Sequence, residues 1–249
     1  MPLVYSHLLS TYETRGGIYA VLLDPDKKNH GIIETMVDQA NDSDVDILLV
    51  GGSLMMDGKS HDRVKDIKEQ SKIPVVFFPG SANQLNSYYD AVLFLSVLSG
   101  RNPHYLIGEQ VISAPIIKDL GLETIPTGYL LLDGGAHSTV EFMSGSNPIP
   151  MDRPDITVAH ALAAEYMGMK FVYLEAGSGA ERSVPEDIID RCIENLNINL
   201  IVGGGIKSPQ EAASKIEAGA SIVVTGSVLE TSQNNSLMKE FADAIHTKG

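Results

Sequence analysis

Two glycine-rich segments near the C-terminus have the pattern of a phosphate-binding site. Gly203 to Gly205 follow a short apolar run and precede Ser208, and Gly226 and Ser227 follow the next apolar run. Each segment leads from a strand-like run into a helix, so backbone N–H groups are free to point at an anion. In (β/α)8 barrels, the loops after the last two strands commonly bind phosphate. The pattern therefore predicts a phosphate cup formed by these two loops.

Carboxylates occur where two other apolar runs end. Asp24 and Asp26 follow Leu23, and Glu175 follows Leu174. Acidic side chains at the C-terminal ends of barrel strands lie in the catalytic mouth. The two aspartates could hold Mg2+ with help from a substrate phosphate, but Asp-Pro-Asp is also common as a plain turn. Glu175 could be a general base or a solvated carboxylate at the rim, and this stretch alone favours neither.

Two further segments could bring hydroxyl and amide groups to the same mouth. Tyr173 shares a strand face with Glu175 because side chains alternate along a strand. The loop Ala176 to Gly179 that follows is rich in N–H groups. Gly51-Gly52-Ser53 could direct the Ser53 hydroxyl towards the mouth, although this motif alone is weak evidence. The histidines have no metal-binding spacing, which favours surface or structural roles for them.

Eight apolar runs predict the strands that position these residues. The runs are nearly continuous rather than alternating, as strands buried on both faces of a parallel sheet require. Most intervals between them accommodate one helix, so an α/β fold with a single (β/α)8 barrel domain over residues 1–249 is predicted. The runs are Ile18 to Leu23, Ile47 to Val50, Pro74 to Phe78, Ala91 to Leu95, Tyr129 to Leu132, Phe171 to Leu174, Leu200 to Val202 and Ile222 to Val224.

Two intervals depart from the regular pattern. Pro79 to Asp90 is too short for a full crossover, which predicts a non-helical third connection and a thinner wall there. Asp133 to Asp155 is long and rich in Gly, Ser and Pro, which predicts a lid before a helix over Ile156 to Met167. Asn29 is the expected cap of the helix after the first strand.

Ser208-Pro209-Gln210-Glu211 has the pattern of a capping box, and Ser183 to Glu186 has the same spacing.

The composition limits the classes of partner. Lys and Arg number 18 against 32 Asp and Glu, a formal charge of −14, so electrostatics would oppose nucleic-acid binding. Cys192 has no disulfide partner and is expected to be buried. The N-terminus has no secretory pattern, which predicts a cytoplasmic protein. Ala91 to Leu98 falls far short of the roughly 20 residues that span a bilayer, which leaves peripheral membrane contact open.

Six segments together resemble the geranylgeranylglyceryl phosphate synthase family, whose members are prenyltransferases related to the bacterial PcrB enzymes. The segments occur in the family's order over almost the whole chain, and the combination is far more specific than any one of them. They are Leu23 to Lys27, Gly51 to Ser53, Ser99 to Pro103, Tyr173 to Gly179, Gly203 to Ile206 and Thr225 to Ser227.

The resemblance implies a modified TIM barrel in which a non-helical segment replaces the third helix. It also implies the reaction: with Mg2+, sn-glycerol 1-phosphate is joined as an ether to a polyprenyl diphosphate, geranylgeranyl being the expected chain, and diphosphate is released. The prenyl tail would need an apolar groove, which the thin wall at the third connection could provide. Family members commonly form dimers or larger assemblies, so a homo-oligomer is expected.

The resemblance also assigns roles by motif position. Asp24 and Ser53 would be the metal ligands. Glu175 and Tyr173 would be the catalytic residues, with Glu175 taking the proton from the glycerol hydroxyl. The glycerol phosphate site would comprise Tyr173, Leu174, Glu175, Ala176, Gly177, Ser178, Gly179, Gly204, Gly205, Gly226 and Ser227.

Two positions depart from the family's pattern. Leu22 stands where some members carry a lysine, and Ser227 stands where many carry an asparagine. Ser227 can still donate through its amide and hydroxyl groups, so neither departure changes the interpretation, and the role of Lys27 is open. Two alternatives share the phosphate cup: another phosphate-binding barrel enzyme, such as an isomerase or lyase, and a non-catalytic phosphate-binding barrel. Asp24, Ser53 and Glu175 argue against the second.

Overall fold

All eight apolar runs form strands of one closed parallel barrel, with each strand paired to the next and the last paired to the first. The computed structural model describes residues 3–232, 234 and 236–248. The predicted (β/α)8 fold is therefore confirmed. The strands are β1 (Ile18–Leu23), β2 (Ile47–Val50), β3 (Val75–Phe77), β4 (Ala91–Val97), β5 (Glu123–Leu131), β6 (Phe171–Glu175), β7 (Asn199–Gly203) and β8 (Ile222–Thr225).

Helices cover the outside of the barrel. Two single 3₁₀ turns, Lys27–Asn29 and Ala82–Gln84, lie in the connections after β1 and β3, and a π-helical turn, His104–Gly108, leads directly into α4. The α-helices are α1 (Val4–Arg15), α2 (Ile33–Asp42), α3 (Ser60–Gln70), α4 (Glu109–Leu120), α5 (Thr139–Ser144), α6 (Pro154–Tyr166), α7 (Glu186–Asn195), α8 (Pro209–Glu217), α9 (Ser227–Thr231) and α10 (Leu237–Ile245).

The strands bury both of their faces, which explains their nearly continuous apolar sequences. In β2, Ile47 and Leu49 pack inside the barrel, whereas Leu48 and Val50 pack between the barrel and the helices. All four side chains are buried. The sheet therefore needs apolar residues at every position, unlike a sheet with one solvated face.

The third connection lacks an α-helix, as expected. Within Phe78 to Asp90 only the 3₁₀ turn Ala82–Gln84 is helical. Tyr89 takes over part of the cover that a helix would give, because its ring stacks on Phe77 of β3 at a centroid distance of 4.7 Å. Lys68 of α3 anchors the end of the connection through Asp90, with Nζ 2.6 Å from Oδ2.

Several expected helix starts need correction, while one is confirmed. Ser208 caps α8 by accepting a hydrogen bond from the Glu211 amide at 3.2 Å. Ser183 does not cap α7, which begins after Pro185, because its hydroxyl donates to the Glu211 carboxylate instead. Asn29 does not cap α2 either. It belongs to the 3₁₀ turn, and the helix begins after Ile32.

Other boundaries also differ from the sequence expectation. The fifth strand begins at Glu123 rather than Tyr129, and the long segment before α6 contains α5 rather than loop alone. The α6 helix runs from Pro154 to Tyr166, about two residues earlier at its start than its apolar pattern indicates. Cys192 is buried, as predicted, and burial raises the pKa of its thiol to about 12. Among the described residues, no helix is long and apolar enough to cross a membrane.

Candidate active site

One large cavity opens at the C-terminal ends of the strands and has a volume of about 820 Å³. Most of the residues predicted for the site border it: Asp24, Ser53, Tyr173, Glu175, Ser178, Gly179, Gly204, Gly205, Gly226 and Ser227. Leu174, Ala176 and Gly177 do not: the first two pack their side chains in the outer core between sheet and helices, and the Gly177 amide donates to the Glu175 carboxylate. Residues from five different strand ends are thus brought to one mouth.

Glu175 is the buried carboxylate of the mouth. Its residue is 7% exposed at the end of β6, and the Gly177 amide donates to Oε1 at 2.8 Å. Burial raises the pKa of the Glu175 carboxyl to about 7, and the hydrogen bonds from Gly177 and the Tyr173 side chain offset only part of this rise. A carboxylate with a pKa near neutrality is suited to accept a proton at physiological pH.

Three aromatic rings that pack against one another border the same mouth, of which the sequence patterns indicated only Tyr173. The Tyr173 ring lies 5.4 Å from the ring of Tyr129 and 5.5 Å from that of Phe78, measured between centroids. Burial, reinforced by the charge of Glu175, raises the pKa of both tyrosines well above its ordinary value. Both hydroxyls therefore remain neutral donors at any physiological pH.

The predicted phosphate cup has the expected backbone geometry. Gly204 and Gly205 have φ angles of 81° and 71°, in the left-handed region that favours glycine. The amides of Gly179, Gly205 and Ser227 donate no hydrogen bond to another of the described residues. Ser227 is the first residue of α9, so its amide points out of a helix N-terminus. The loops after β6, β7 and β8 thus offer free donors to one anion.

Two hydroxyls close the gap between these loops. The Oγ atoms of Ser178 and Ser227 lie 3.0 Å apart. Lys207 also borders the cavity, but its ammonium donates to the Glu181 carbonyl at 2.9 Å. The cup is therefore built mainly from backbone amides and serine hydroxyls.

Asp24 has one carboxylate oxygen without a partner. Oδ1 is buried and accepts no hydrogen bond from a described residue, whereas Oδ2 lies 3.0 Å from Lys28 Nζ. Burial raises the pKa of the Asp24 carboxyl, and the hydrogen bond from Lys28 works against that rise. Gly52 lies directly against Oδ1, and Ser53 borders the cavity beside it. A buried carboxylate oxygen without a partner is costly unless a ligand satisfies it.

Asp26 has a structural role, so the hypothesis of two aspartate metal ligands is not supported. Its Oδ1 accepts the Met56 amide at 2.7 Å, which ties the loop after β1 to the loop after β2. Burial acts to raise the pKa of Asp26, but hydrogen bonds from the amides of Met56, Lys27 and Lys28 outweigh it and lower the pKa. Both aspartates border the cavity, but Asp26 fits the turn interpretation, whereas Asp24 keeps an oxygen free for a ligand.

The cavity continues beyond the mouth as an apolar groove. Leu85 of the third connection, Val92 and Phe94 of β4 and Ile117 of α4 border it. The Glu109 carboxylate of α4 accepts the Ala82 amide of the third connection at 2.7 Å, which joins the two walls of the groove. The groove therefore lies where the helix is missing, between the third connection and α4.

The sequence patterns did not indicate Phe78, Tyr129, Lys28 or Glu230, all of which border the cavity. A usable signal existed for Phe78 and Tyr129, since Phe78 directly follows β3 and Tyr129 lies two residues before the end of β5. Strand ends of a barrel face the active site. Glu230 lies in α9 and Lys28 in a 3₁₀ turn, where no strand period indicates direction.

Comparison with known proteins identifies relatives that match most of this chain. A profile of the PcrB family matches residues 10–245. Geranylgeranylglyceryl phosphate synthase of Chitinophaga pinensis is 46% identical over 92% of this chain and 90% of its own. The enzyme of the same name from Methanosphaera stadtmanae is 43% identical over 92% of this chain and 94% of its own.

A solved structure agrees with these matches. The crystal structure of (S)-3-O-geranylgeranylglyceryl phosphate synthase from Thermoplasma acidophilum, in complex with its substrate sn-glycerol-1-phosphate, superposes with a TM-score of 0.91. It is 32% identical to this chain and covers 99% of both chains. The sequence matches and the shared fold lead to the same conclusion: this chain belongs to the PcrB family.

Proposed function

We propose that this protein is a prenyltransferase that joins sn-glycerol 1-phosphate to a polyprenyl diphosphate, with geranylgeranyl as the donor chain. The product is an ether-linked prenylglyceryl phosphate, and diphosphate is released. The observation that carries the proposal is the buried Glu175 carboxylate, which borders the same cavity as a backbone-built phosphate cup and as Asp24 with its unpartnered oxygen. Relatives that bear the corresponding name support it.

The cup would bind the phosphate of the glycerol substrate. The free amides of Gly179, Gly205 and Ser227 suit a phosphate dianion, since backbone N–H groups at loop and helix starts favour negative charge. Anchoring the phosphate there leaves the far hydroxyl of the glycerol to reach Glu175. Holding both partners in reactive geometry removes much of the entropic cost of their encounter.

Glu175 would act as the base, with Tyr173 beside it. The glycerol hydroxyl gives its proton to the Glu175 carboxylate while its oxygen forms a bond to the first carbon of the prenyl chain. The bond between that carbon and the diphosphate oxygen breaks, and its electron pair leaves with the diphosphate. The faces of Tyr129, Tyr173 and Phe78 are suited to stabilise the positive charge that develops on the allylic carbon.

Mg2+ at Asp24 and Ser53 is part of this proposal. The unpartnered Asp24 Oδ1 supports it, and Mg2+ commonly takes one or two carboxylates and keeps several waters. No group of three or more His, Cys, Asp or Glu within the described chain is arranged to hold a metal, so diphosphate and water would supply the other ligands. When bound, Mg2+ would neutralise the charge of the leaving diphosphate.

The prenyl chain would occupy the groove by the third connection. Its walls are apolar, and burying a prenyl chain against them is favourable because apolar area leaves water. Any peripheral contact with a membrane would come through this chain, in the substrate or in the product. The protein is proposed to work in the cytoplasm.

A homo-oligomer is also proposed, and the outer face of α4 supports it. Ile107, Val111, Ile112 and Ile116 expose between 42% and 65% of their surface on this face. Exposed apolar patches of this kind mark protein interaction sites. Light scattering of the wild type and of Ile112→Glu tests the proposal: the wild type is expected to have a multiple of the chain's mass of 26.8 kDa, and the variant a smaller one.

The direct test of the function is product identification by mass spectrometry. The enzyme is given Mg2+, sn-glycerol 1-phosphate and prenyl diphosphates of graded length, with sn-glycerol 3-phosphate as the control acceptor. The expected product is a prenylglyceryl phosphate from the 1-phosphate. No product with any prenyl diphosphate, despite tight glycerol phosphate binding, would instead favour a phosphate-binding isomerase, lyase or non-catalytic barrel.

A further inference from the structure

Lys28 is the cation at the Asp24 end of the cavity. It borders the cavity, and its Nζ lies 3.0 Å from Asp24 Oδ2. Its side chain is 62% exposed, so the ammonium reaches into the mouth from a solvated position. The neighbouring Lys27 is also exposed but does not border the cavity. Lys28, and not Lys27, is therefore the lysine of this turn that is positioned to act at the site.

A second carboxylate faces the same ammonium. Glu230 of α9 borders the cavity, and its Oε1 accepts a hydrogen bond from Asn29 Nδ2 at 3.2 Å. Asn29 also donates to the Asp24 carbonyl at 3.1 Å, which fixes Glu230 near Asp24. The hydrogen bond to Asp24 is the largest influence that raises the pKa of Lys28, and the charge of Glu230 adds to it. Lys28 thus forms an ion pair with Asp24 and also interacts with the charge of Glu230.

Lys28 and a metal ion would compete for one carboxylate. The Asp24 carboxylate gives Oδ2 to Lys28 and leaves Oδ1 without a partner. A divalent cation there would repel the ammonium at a distance of a few ångströms, where charges interact strongly. The ammonium, once displaced, is flexible and lies beside the place where the diphosphate must meet the metal. Lysine is a common phosphate ligand because it acts as a mobile point charge.

We propose that Lys28 is a diphosphate-binding residue, held by Asp24 in the free enzyme and transferred to the diphosphate, with Glu230 as its second partner, when the metal binds. This inference rests on the proposed function. It makes metal and diphosphate binding cooperative: displacement of Lys28 from Asp24 frees one cation for the second ligand, and the coupling is reciprocal.

Two calorimetric titrations of Lys28→Met test this, with Lys27→Met as the matched control. In the first, Mg2+ is titrated alone. It should bind Lys28→Met about two- to fivefold more tightly than the wild type, the range expected for a partly exposed ion pair. In the second, inorganic pyrophosphate is titrated in excess Mg2+. It should bind Lys28→Met about tenfold or more weakly, since a charge-assisted hydrogen bond is lost.

Lys27→Met should leave both affinities within about twofold of the wild type, because an exposed lysine outside the site contributes little. The proposal is overturned if pyrophosphate binds Lys28→Met as tightly as the wild type, or if Lys27→Met weakens it equally. Failure of the proposed function can be distinguished from failure of the proposal for Lys28. If the protein makes no prenyl ether but shows the two expected affinity changes, the proposed reaction is wrong. The assignment of Lys28 as a diphosphate ligand then still stands.

Discussion

Two neighbouring parts of the cavity present different groups to anions. The backbone end, after β6, β7 and β8, presents backbone amides fixed by glycines, such as Gly205, and two serine hydroxyls in contact. The side-chain end, after β1, which pairs with β8, presents an aspartate with a free oxygen and a lysine that holds its other oxygen. A backbone site has a fixed shape and charge, whereas a side-chain site can exchange partners. The first suits a substrate group that stays bound, and the second suits a leaving group.

Asp24→Asn should have the largest effect at the side-chain end. The amide keeps the shape of the carboxylate but removes the charge that a metal ligand needs, so Mg2+-dependent turnover should fall by at least about 10²-fold, the scale of losing several kcal/mol of metal stabilisation. Glycerol phosphate binding, measured by calorimetry, should be largely unchanged because the cup is built from backbone amides and serine hydroxyls and does not include Asp24. Near-normal turnover at ordinary Mg2+ would rule out Asp24 as a ligand.

Gly205→Val should damage the backbone end. The φ angle of 71° is strained for a branched residue, and an added Cβ would approach the Arg182 carbonyl oxygen to 2.9 Å. The loop must shift to relieve this contact, so the Gly205 amide leaves the cup, and losing a hydrogen bond to a charged group, worth about 1.5–3 kcal/mol, should weaken glycerol phosphate binding roughly ten- to 100-fold.

Gly168→Val is the matched control for this substitution. Gly168 has a similar φ of 84° and open space around it, between α6 and β6. Its variant should lose stability but keep the affinity for glycerol phosphate. Equal loss of affinity in both variants would mean that backbone strain, not the cup, explains the Gly205 result.

The pH dependence of kcat/KM tests the role of the Glu175 carboxylate. Because the pKa of Glu175 is raised to about 7, the base is protonated below that pH, and kcat/KM should fall about tenfold per pH unit there. Above pH 7 it should level off. Glycerol phosphate affinity, measured at each pH, separates this from titration of the substrate. A profile without a change near pH 7 would contradict the role of Glu175.

The burial of Glu175 also predicts that the stability of the fold changes with pH. Since the folded-state pKa of Glu175 lies above the ordinary value of 4.5, the stability that its protonated form contributes is present below pH 4.5 and is lost as pH rises through 7. Glu175→Gln should therefore stabilise the fold at pH 8 by about 1–3 kcal/mol and much less at pH 5. Chemical denaturation at both values measures this, with Glu181→Gln, at an exposed position, as the control.

The smallest expected effect is at the serine pair of the cup. Ser227→Ala removes one hydroxyl and should weaken glycerol phosphate binding by about two- to tenfold, the worth of one hydrogen bond. Ser178→Ala should act similarly, and the double variant should lose less than the sum of the two, since contacting groups are not additive. Additive losses would show that the hydroxyls bind the ligand independently.

The sequence predicted the backbone end of the site better than the side-chain end. Gly204 and Gly205 could be assigned to a phosphate cup because Gly226 and Ser227 repeat the same strand-to-helix pattern after the next strand, and every strand was indicated by its apolar run. Asp24 and Asp26 could not be told apart, because a single turn decides which carboxylate keeps a free oxygen and which accepts the Met56 amide. Lys28 and Glu230, which lie near Asp24, are both outside the strands, and Glu230 is also distant in sequence. No strand periodicity therefore identifies either of them.

The helix starts show the same limit. The capping pattern at Ser208 predicted a real cap, but the identical pattern at Ser183 did not, because the Ser183 hydroxyl has a partner on another helix, Glu211. Local spacing predicts local hydrogen bonds. Tertiary contacts then decide which of them form.

Glu175→Gln tests the central claim most directly, because glutamine keeps the shape of the side chain and can still accept from the Gly177 amide while losing the ability to accept a proton. Turnover at saturating substrates should fall by roughly 10²–10⁴-fold, the usual contribution of a positioned base. Glycerol phosphate affinity should change little. A loss of less than about tenfold in turnover, well short of the range for a positioned base, or a loss entirely in glycerol phosphate affinity, would contradict the account and leave Glu175 as a substrate-holding residue.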